Sequence, residues 1–373
     1  MDFTTTEAAD DLSGLVRTIT ESVCTPEHQR DLDKLDQRVD RDLWRKMIDA
    51  DVLNAVAPES LGGAGFGVLE QVAVLTALGR QLAAVPYLES VVLAAGGLAR
   101  FGSKELQQNW AVPAVSGDKI LTVALSAEMG QGPVQARTVA EGYRLTGTRT
   151  LVGYAPVADA FLVPAETDSG VRVFLVPTED AGVTVTGLET TGRGSVGQLD
   201  LQGVGVGAER LVGGVGAAAA NGGEVVEWLT AMSTLGLTAF ALGVLERALE
   251  MTAEYARERE QFGRPIGSFQ AVAQRLADGY IDIKGLRLTL SQAAWRLSEN
   301  LPADVEVATA AFWAADAGHR GAHTTVHVHG GVGIDIDHPV HRYFLAAKQT
   351  EFALGSATGQ LRRIGRELAD TPA

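Results

Sequence analysis

The chain has a single cysteine, Cys24, which excludes an internal disulfide and suits a reducing cytoplasm. No glycine-rich or electropositive stretch surrounds it, so it reads as a half-buried helix residue, not a nucleophile. Basic residues are also scarce, 31 Lys and Arg against 46 Asp and Glu, for a formal net charge of −15. That balance opposes nucleic-acid binding and non-specific docking on anionic membrane, and it leaves the capture of any polyanion to a local site. The first residues, MDFTTTEAADD, offer neither a basic start nor an apolar core, so no signal peptide is expected. No apolar run reads as long enough to span a bilayer. No repeat with a period of roughly 20–50 residues is visible. Six of the seven histidines fall between His319 and His341, and His323 and His327 share one helix face at the spacing of metal ligands. No acidic residue precedes them in an H-E-x-x-H pattern, so no metal site is expected.

What is present is enough for two or three domains with a large core: 373 residues, 46% of them hydrophobic. Residues 1–118 read as helical. Thr5 or Thr6 is placed to cap a first helix with a Leu12, Leu15, Val16 and Ile19 stripe, and a glycine-rich loop runs from Ala57 to Gly67. Residues 119–211 change texture to short Val-, Thr- and Leu-rich runs separated by Gly, Pro or Asp, the cadence of an antiparallel β-domain. Residues 212–223 form a Gly/Ala-rich linker. Residues 224–373 predict long helices at about 224–260, 268–298, 303–329 and 339–369, in which Trp295 and Trp313 are core residues.

The stretch Tyr255–Gln270, YARERE-QFG-RPIGSFQ, closes one helix and opens the next. Gly263, Pro265 and Gly267 break the helix, and Ser268 is placed to cap its successor. Arg259, Gln261 and Phe262 therefore stand at a helix exit, where a planar guanidinium suits a phosphate or pyrophosphate. From the residues alone, an ordinary hairpin with Arg259 solvated beside Glu260 accounts for the stretch as well.

The same stretch, R-E-Q-F-G-R-P-I-x-x-F-Q, resembles the C-terminal signature of the acyl-CoA dehydrogenase family, FAD flavoproteins that desaturate acyl-CoA thioesters. Pro58-Glu59-Ser60-Leu61-Gly62-Gly63-Ala64-Gly65 is similar to the family's P-E-x-x-G-G-x-G. His327-Val328-His329-Gly330-Gly331-Val332-Gly333, followed by Pro339, Val340 and Arg342, is similar to its Q-x-x-G-G-x-G…P-V-x-R. The resemblance implies an N-terminal α-helical domain, a middle antiparallel β-domain and a C-terminal four-helix bundle. It also implies a glutamate base at one of two positions, but those positions hold Leu354 and Ser233, so this chain has no catalytic residue of its own. Glu351 lies nearby, and Glu227, Glu246 and Glu250 read as solvated-face carboxylates.

The family's flavin-ring motif appears only in altered form, as Ser126-Ala127-Glu128-Met129-Gly130-Gln131-Gly132-Pro133, and Gly153 stands where a Thr or Ser would face the ring. The pyrophosphate contacts implied by the resemblance survive: Arg259, Gln261, Phe262, His327, Gly330, Gly331 and Gly333, reaching the FAD seated in an adjacent subunit. Within the family the chain is most similar to base-less subunits that pair, as α2β2, with an α-subunit carrying the glutamate and the acyl-CoA site. The substrate class implied is a steroid side-chain CoA thioester in sterol β-oxidation. Two other readings are a self-sufficient homotetramer using Glu351 as base and a flavin-free acyl-CoA-binding scaffold.

Overall fold

The computed structural model describes residues 3–125, 131–214 and 221–370; residues 126–130 of the altered ring motif and residues 215–220 of the expected linker lie outside them. The helical N-terminal part runs α1 (Glu7–Val23), α2 (Pro26–Leu32), α3 (Arg41–Asp49), α4 (Val52–Ala55) and α5 (Val68–Arg80). A π-helical segment Tyr87–Ala95 then leads into α6 (Gly96–Phe101), α7 (Lys104–Leu106) and α8 (Val112–Val115). The strands are β1 (Leu121–Val123), β2 (Val134–Val139), β3 (Gly142–Gly153), β4 (Ala160–Thr167), β5 (Gly170–Pro177), β6 (Val183–Leu188), β7 (Val196–Val206) and β8 (Leu211–Val212). After them come α9 (Gly222–Glu258), a hairpin of β9 (Glu260–Gln261) and β10 (Arg264–Pro265), α10 (Gln270–Ser298), α11 (Asp304–His329), α12 (Val340–Ala353) and α13 (Ser356–Asp370). These elements divide into two compact units: residues 1–29, 67–83 and 234–373 in one, residues 30–66 and 84–233 in the other.

In the second unit the sheet order is β6-β7-β3-β2-β4-β5-β8, with β1 also pairing β4. The sheet is mixed, not antiparallel as expected. β1 and β2 follow one another along a single edge of β4, Leu121 opposite Ala160 and Val134 opposite Ala165, so both run parallel to it. Alternation of apolar and polar residues sets which face of a strand is buried, not which way it runs. β3 is one continuous strand that crosses two register shifts, with Leu151 at a positive φ of 54°. Phe161, Phe174, Leu145 and Leu199 are fully buried in the core of this sheet. The glycine motif of the 58–65 loop belongs to this unit, and packing accounts for Gly63: a Cβ there would stand 2.1 Å from the Ala57 carbonyl oxygen.

In the first unit, Thr6 caps α1 by accepting the Ala9 N–H at 3.1 Å. Glycines let α5 and α9 approach closely, since a Cβ on Gly79 would stand 2.1 Å from the Phe240 carbonyl oxygen and one on Gly243 2.0 Å from that of Thr76. Arg80, at the end of α5, reaches Glu246 at 3.1 Å and both oxygens of Glu250 at 2.7 and 2.9 Å, and Glu246 also meets Arg287. Glu246 and Glu250 are thus ion-pair partners and not the solvated carboxylates expected from their helix positions.

Three further expectations are corrected. Ser268 does not cap α10: its hydroxyl donates to the Pro265 carbonyl at 2.7 Å, and Phe269 holds the cap position without a side-chain cap. The last expected helix is two, interrupted at Leu354 and at Gly355, whose φ is +75°. α9, with 37 residues and a mean hydropathy of 1.6 over its most apolar window, is long and apolar enough to cross a membrane. The sequence reading missed it because scattered polar residues interrupt the run; 67% of that window is buried inside the protein, as in a core helix.

Candidate functional site

The end of α9 and the end of α11 carry most of the candidate residues. α9 stops at Glu258, and the chain turns back at once in the β9–β10 hairpin, with Arg264 opposite Gln261 and Pro265 opposite Glu260. The two turn residues, Phe262 and Gly263, both have positive φ, 55° and 76°. Such two-residue turns favour Asn-Gly or Asp-Gly, and a bulky aromatic at the first place is a strained choice. Phe262 is nevertheless 93% exposed, its ring set perpendicular to that of Phe269 at 6.1 Å between centroids, while the Arg264 guanidinium lies 4.2 Å over Phe269. The hairpin thus holds an aromatic ring out to solvent in a conformation that costs energy.

Arg259 lies at the base of this hairpin, its N–H bonded to the Tyr255 carbonyl and its own carbonyl accepting from Ile266. The Arg259 side chain is exposed, and its guanidinium makes no ion pair or hydrogen bond among the described residues, Glu260 included. Gln261 is exposed as well and donates to the Glu260 carbonyl at 2.8 Å. A permanent charge beside an exposed amide is a ready receptor for an oxyanion.

α11 ends at His329, and Gly330 caps it with φ 61° and ψ −136°, a backbone state that glycine alone adopts without strain. A Cβ at Gly330 or Gly331 would meet nothing within 4 Å, so their backbone faces open space that a side chain would fill. Gly333 is different. It is buried, and a Cβ there would stand 2.9 Å from the Val326 carbonyl oxygen, so packing of the turn against α11 already requires glycine. His327 is exposed one turn earlier. These residues fit the phosphate end of a dinucleotide: exposed cationic and amide donors on the hairpin, and bare backbone at Gly330 and Gly331.

The two ends are joined by a stack. The Tyr255 ring lies on the buried His329 ring, centroids 4.4 Å apart and planes within 20°, and His338 meets His329 at 5.4 Å. His329 Nδ1 lies 2.9 Å from the Thr325 carbonyl. Burial, then His338, hold the His329 imidazole below its usual pKa. Nothing in the sequence spacing marks Tyr255 and His329 as partners, since they lie on different helices. Among the described residues no group of three or more His, Cys, Asp or Glu is arranged to hold a metal; His323 instead faces the rings of His319 at 4.7 Å and Phe344 at 5.6 Å.

The two positions at which the resemblance expects a base hold no carboxylate. Leu354 caps the end of α12 and is buried, and Ser233 is a half-buried residue of α9. Glu351, one turn from Leu354, accepts from Lys348 Nζ at 2.6 Å and lies 3.3 Å from His319 Nδ1, with only 12% of its side chain exposed. Its oxygens are thus already engaged inside the chain, one by the Lys348 ammonium and one beside the His319 ring.

In the second unit, the place where the resemblance expects a ring donor is filled by the chain itself. A Cβ on Gly153 would stand 2.9 Å from Glu89 Oε1 and 3.2 Å from its Cγ, so Glu89 occupies the space that a Thr or Ser at 153 would need. Burial raises the Glu89 pKa to about 7. An isolated acid within the apolar run YLESVVLAA was the sequence signal for this group, and it was passed over. Gln131, Gly132 and Pro133 are the described remainder of the altered ring motif, and Gly132 accepts from Arg149 at 3.0 Å. Among the described residues, position 153 leaves no room for the hydroxyl donor that the resemblance expects there.

Comparison with known proteins agrees with the motifs. Residues 6–118 match the family model for the acyl-CoA dehydrogenase N-terminal domain, and residues 220–369 match that for the C-terminal domain. The chain is 74% identical, over the whole of both sequences, to acyl-CoA dehydrogenase FadE27 of Mycobacterium tuberculosis. It superposes with a TM-score of 0.96, at 75% identity and complete coverage of both chains, on a chain of the ChsE4-ChsE5 complex from Mycobacterium tuberculosis. A variant of the Tcur3481-Tcur3483 steroid ACAD matches with a TM-score of 0.90, at 36% identity over 98% of each chain.

Proposed function

The chain belongs to the acyl-CoA dehydrogenase family, and we propose that within it this is the subunit without a catalytic base in a heteromeric, cytoplasmic, FAD-dependent enzyme. The complex, an α2β2 assembly, would desaturate the side chain of a steroid CoA thioester between its α and β carbons. The assembly and the substrate class are carried from relatives described as the ChsE4-ChsE5 complex and as a steroid ACAD. FAD supplies the hydride acceptor when bound, and a carboxylate of the partner subunit takes the α-proton.

The chain's own residues have a narrower task. Arg259 and Gln261 offer charged and amide donors to the pyrophosphate of FAD seated in the partner, and Gly330 and Gly331 let the backbone approach it. Phe262 presents an apolar face beside them, and His327 offers one further donor. Neither Leu354 nor Ser233 moves a proton. The observation that carries this reading is the pairing of an unpartnered Arg259 with a buried, proton-inert Leu354 in the same unit. Its weight against the self-sufficient homotetramer comes from Glu351, which is already held by Lys348.

Co-expression with the base-bearing dehydrogenase subunit, followed by a flavin absorbance spectrum, is the test. The chain purified by itself should be colourless and inactive, and the co-purified complex yellow and able to pass electrons from a steroid acyl-CoA to a dye. A yellow, acyl-CoA-reducible preparation of this chain alone would establish the homotetramer instead, and a complex colourless with any partner would establish the scaffold.

A further inference from the structure

The residues that face outward at the ends of α9 and α11 are fastened to each other from beneath. Tyr255 lies one helical turn before Arg259 and accepts its N–H at 2.9 Å, so the position of the Tyr255 ring fixes the root of the hairpin. His329 is the residue immediately before Gly330, whose N–H bonds back to the His327 and Val326 carbonyls. The two rings stack at 4.4 Å, and His338 closes on the far segment at 5.4 Å, itself held by the N–H of Val340 at 3.3 Å from its Nδ1. Among the described residues, no backbone hydrogen bond of the hairpin reaches the glycine turn.

We infer that the Tyr255–His329–His338 stack is the positioning element that holds the Arg259 hairpin and the Gly330–Gly331 turn in register as one clamp. The inference rests on the reading that these two segments hold the pyrophosphate of FAD, and it adds the residues that align them. Tyr255 and His329 touch no cofactor in this scheme; they act through Arg259 and through the glycine backbone. Preorganised donors bind better than donors that must be ordered on binding, which is why a ring pair between two exposed receptors affects ligand retention.

The stack also has a pH limit. His329 faces the Tyr255 ring from α9, the Thr325 carbonyl from its own helix and His338 from the loop before α12; His338 in turn faces Asp335 and His341. Both imidazoles are held below their usual pKa, by burial first. A depressed pKa means that the native arrangement favours the neutral rings, so the arrangement is intact above about pH 6.5 and weakens as protons are forced on below it. Two imidazolium rings side by side would repel.

The test uses the co-purified complex and follows FAD retention on dilution together with the unfolding temperature of the FAD-stripped complex. Tyr255→Ala and His329→Ala should each weaken retention roughly three- to tenfold, the scale of one aromatic stack. The double variant should lose no more than either single, since both remove the same contact. Tyr255→Phe keeps the ring and should retain FAD as the unaltered complex does, which a general loss of folding would not allow. Retention by the unaltered complex should fall as pH drops below about 6.5, and the His329→Ala complex should show a flatter profile. Arg259→Ala is the reference. If it sheds FAD while Tyr255→Ala and His329→Ala keep it, the alignment role is wrong and the cofactor reading stands. If Arg259→Ala keeps FAD, the cofactor reading falls and takes the alignment role with it.

Discussion

Arg80 and Arg259 sit near the ends of two helices in the same compact unit and are treated oppositely. Arg80 is gripped by Glu246 and by both oxygens of Glu250, and its backbone carbonyl accepts the Tyr343 hydroxyl at 2.7 Å. Arg259 stands in solvent with no counter-charge bonded to it among the described residues, at the foot of a strained hairpin. Removing a guanidinium from water costs free energy that only close carboxylates offset, and the chain meets that cost at Arg80. At Arg259 it leaves the charge hydrated, ready for a ligand from outside. Glu351 belongs to the Arg80 kind: a group whose hydrogen bonds are already made inside the chain. An arginine alone does not mark a site; what matters is whether its donors are spent.

Substitutions can break or sharpen this contrast. The largest effect is expected at Arg80. Arg80→Met leaves Glu246 and Glu250 crowded without their shared cation and should lower the stability of the folded chain by about 3 kcal/mol, read as a drop in unfolding temperature, with FAD per folded complex unchanged. A loss of FAD without a loss of stability would reverse the roles assigned to the two arginines. Arg259→Ala should do the converse: an unchanged unfolding temperature for the FAD-free chain, and FAD affinity in the complex weakened by about tenfold, the scale of one charge-assisted hydrogen-bonding group.

Glu351→Gln gives a smaller change. It removes an ion pair worth about 1 kcal/mol or less, and turnover of the complex should be untouched. A complex inactivated by that single substitution, with its flavin still seated, would return Glu351 to the position of base. The smallest effect is a slope. Glu89 has a pKa raised to about 7, above that of the unfolded chain, so the folded state holds the extra proton between the two values. Stability should therefore fall as pH rises from about 4.5 toward 7 and level off beyond it. Glu89→Gln should flatten that part of the curve in a thermal-unfolding series, and an unchanged curve would show that the Glu89 carboxyl is ordinarily hydrated.

Much of the architecture was legible because long helices announce themselves through period. The bounds of α9, α10 and α11 follow the apolar spacing to within a few residues. The losses have local causes. β2, VQARTV, alternates only from Val134 to Arg137 and then presents exposed residues, an alternation too short to mark a strand. The α12–α13 break depends on Gly355 in a left-handed state, and glycine in a helical pattern is tolerated often enough to be passed over. Of the candidate site, the outward residues were readable as a motif because they are fixed in type and order. The stack beneath them was not, because Tyr255 and His329 are far apart in sequence and their meeting is a product of the fold. Likewise the ion pairs of Glu246 and Glu250 depend on where Arg80 arrives, 166 and 170 residues away in the chain.

Phe262 at 93% exposure, with Ile334 at 73% and Ile336 at 70% on the neighbouring turn, has a thermal consequence. Covering bare hydrocarbon gains little enthalpy near room temperature and leaves a negative heat-capacity change, so an association through these side chains should tighten on warming and loosen on cooling. A preparation kept on ice should then come apart into subunits more readily than the same preparation on the bench.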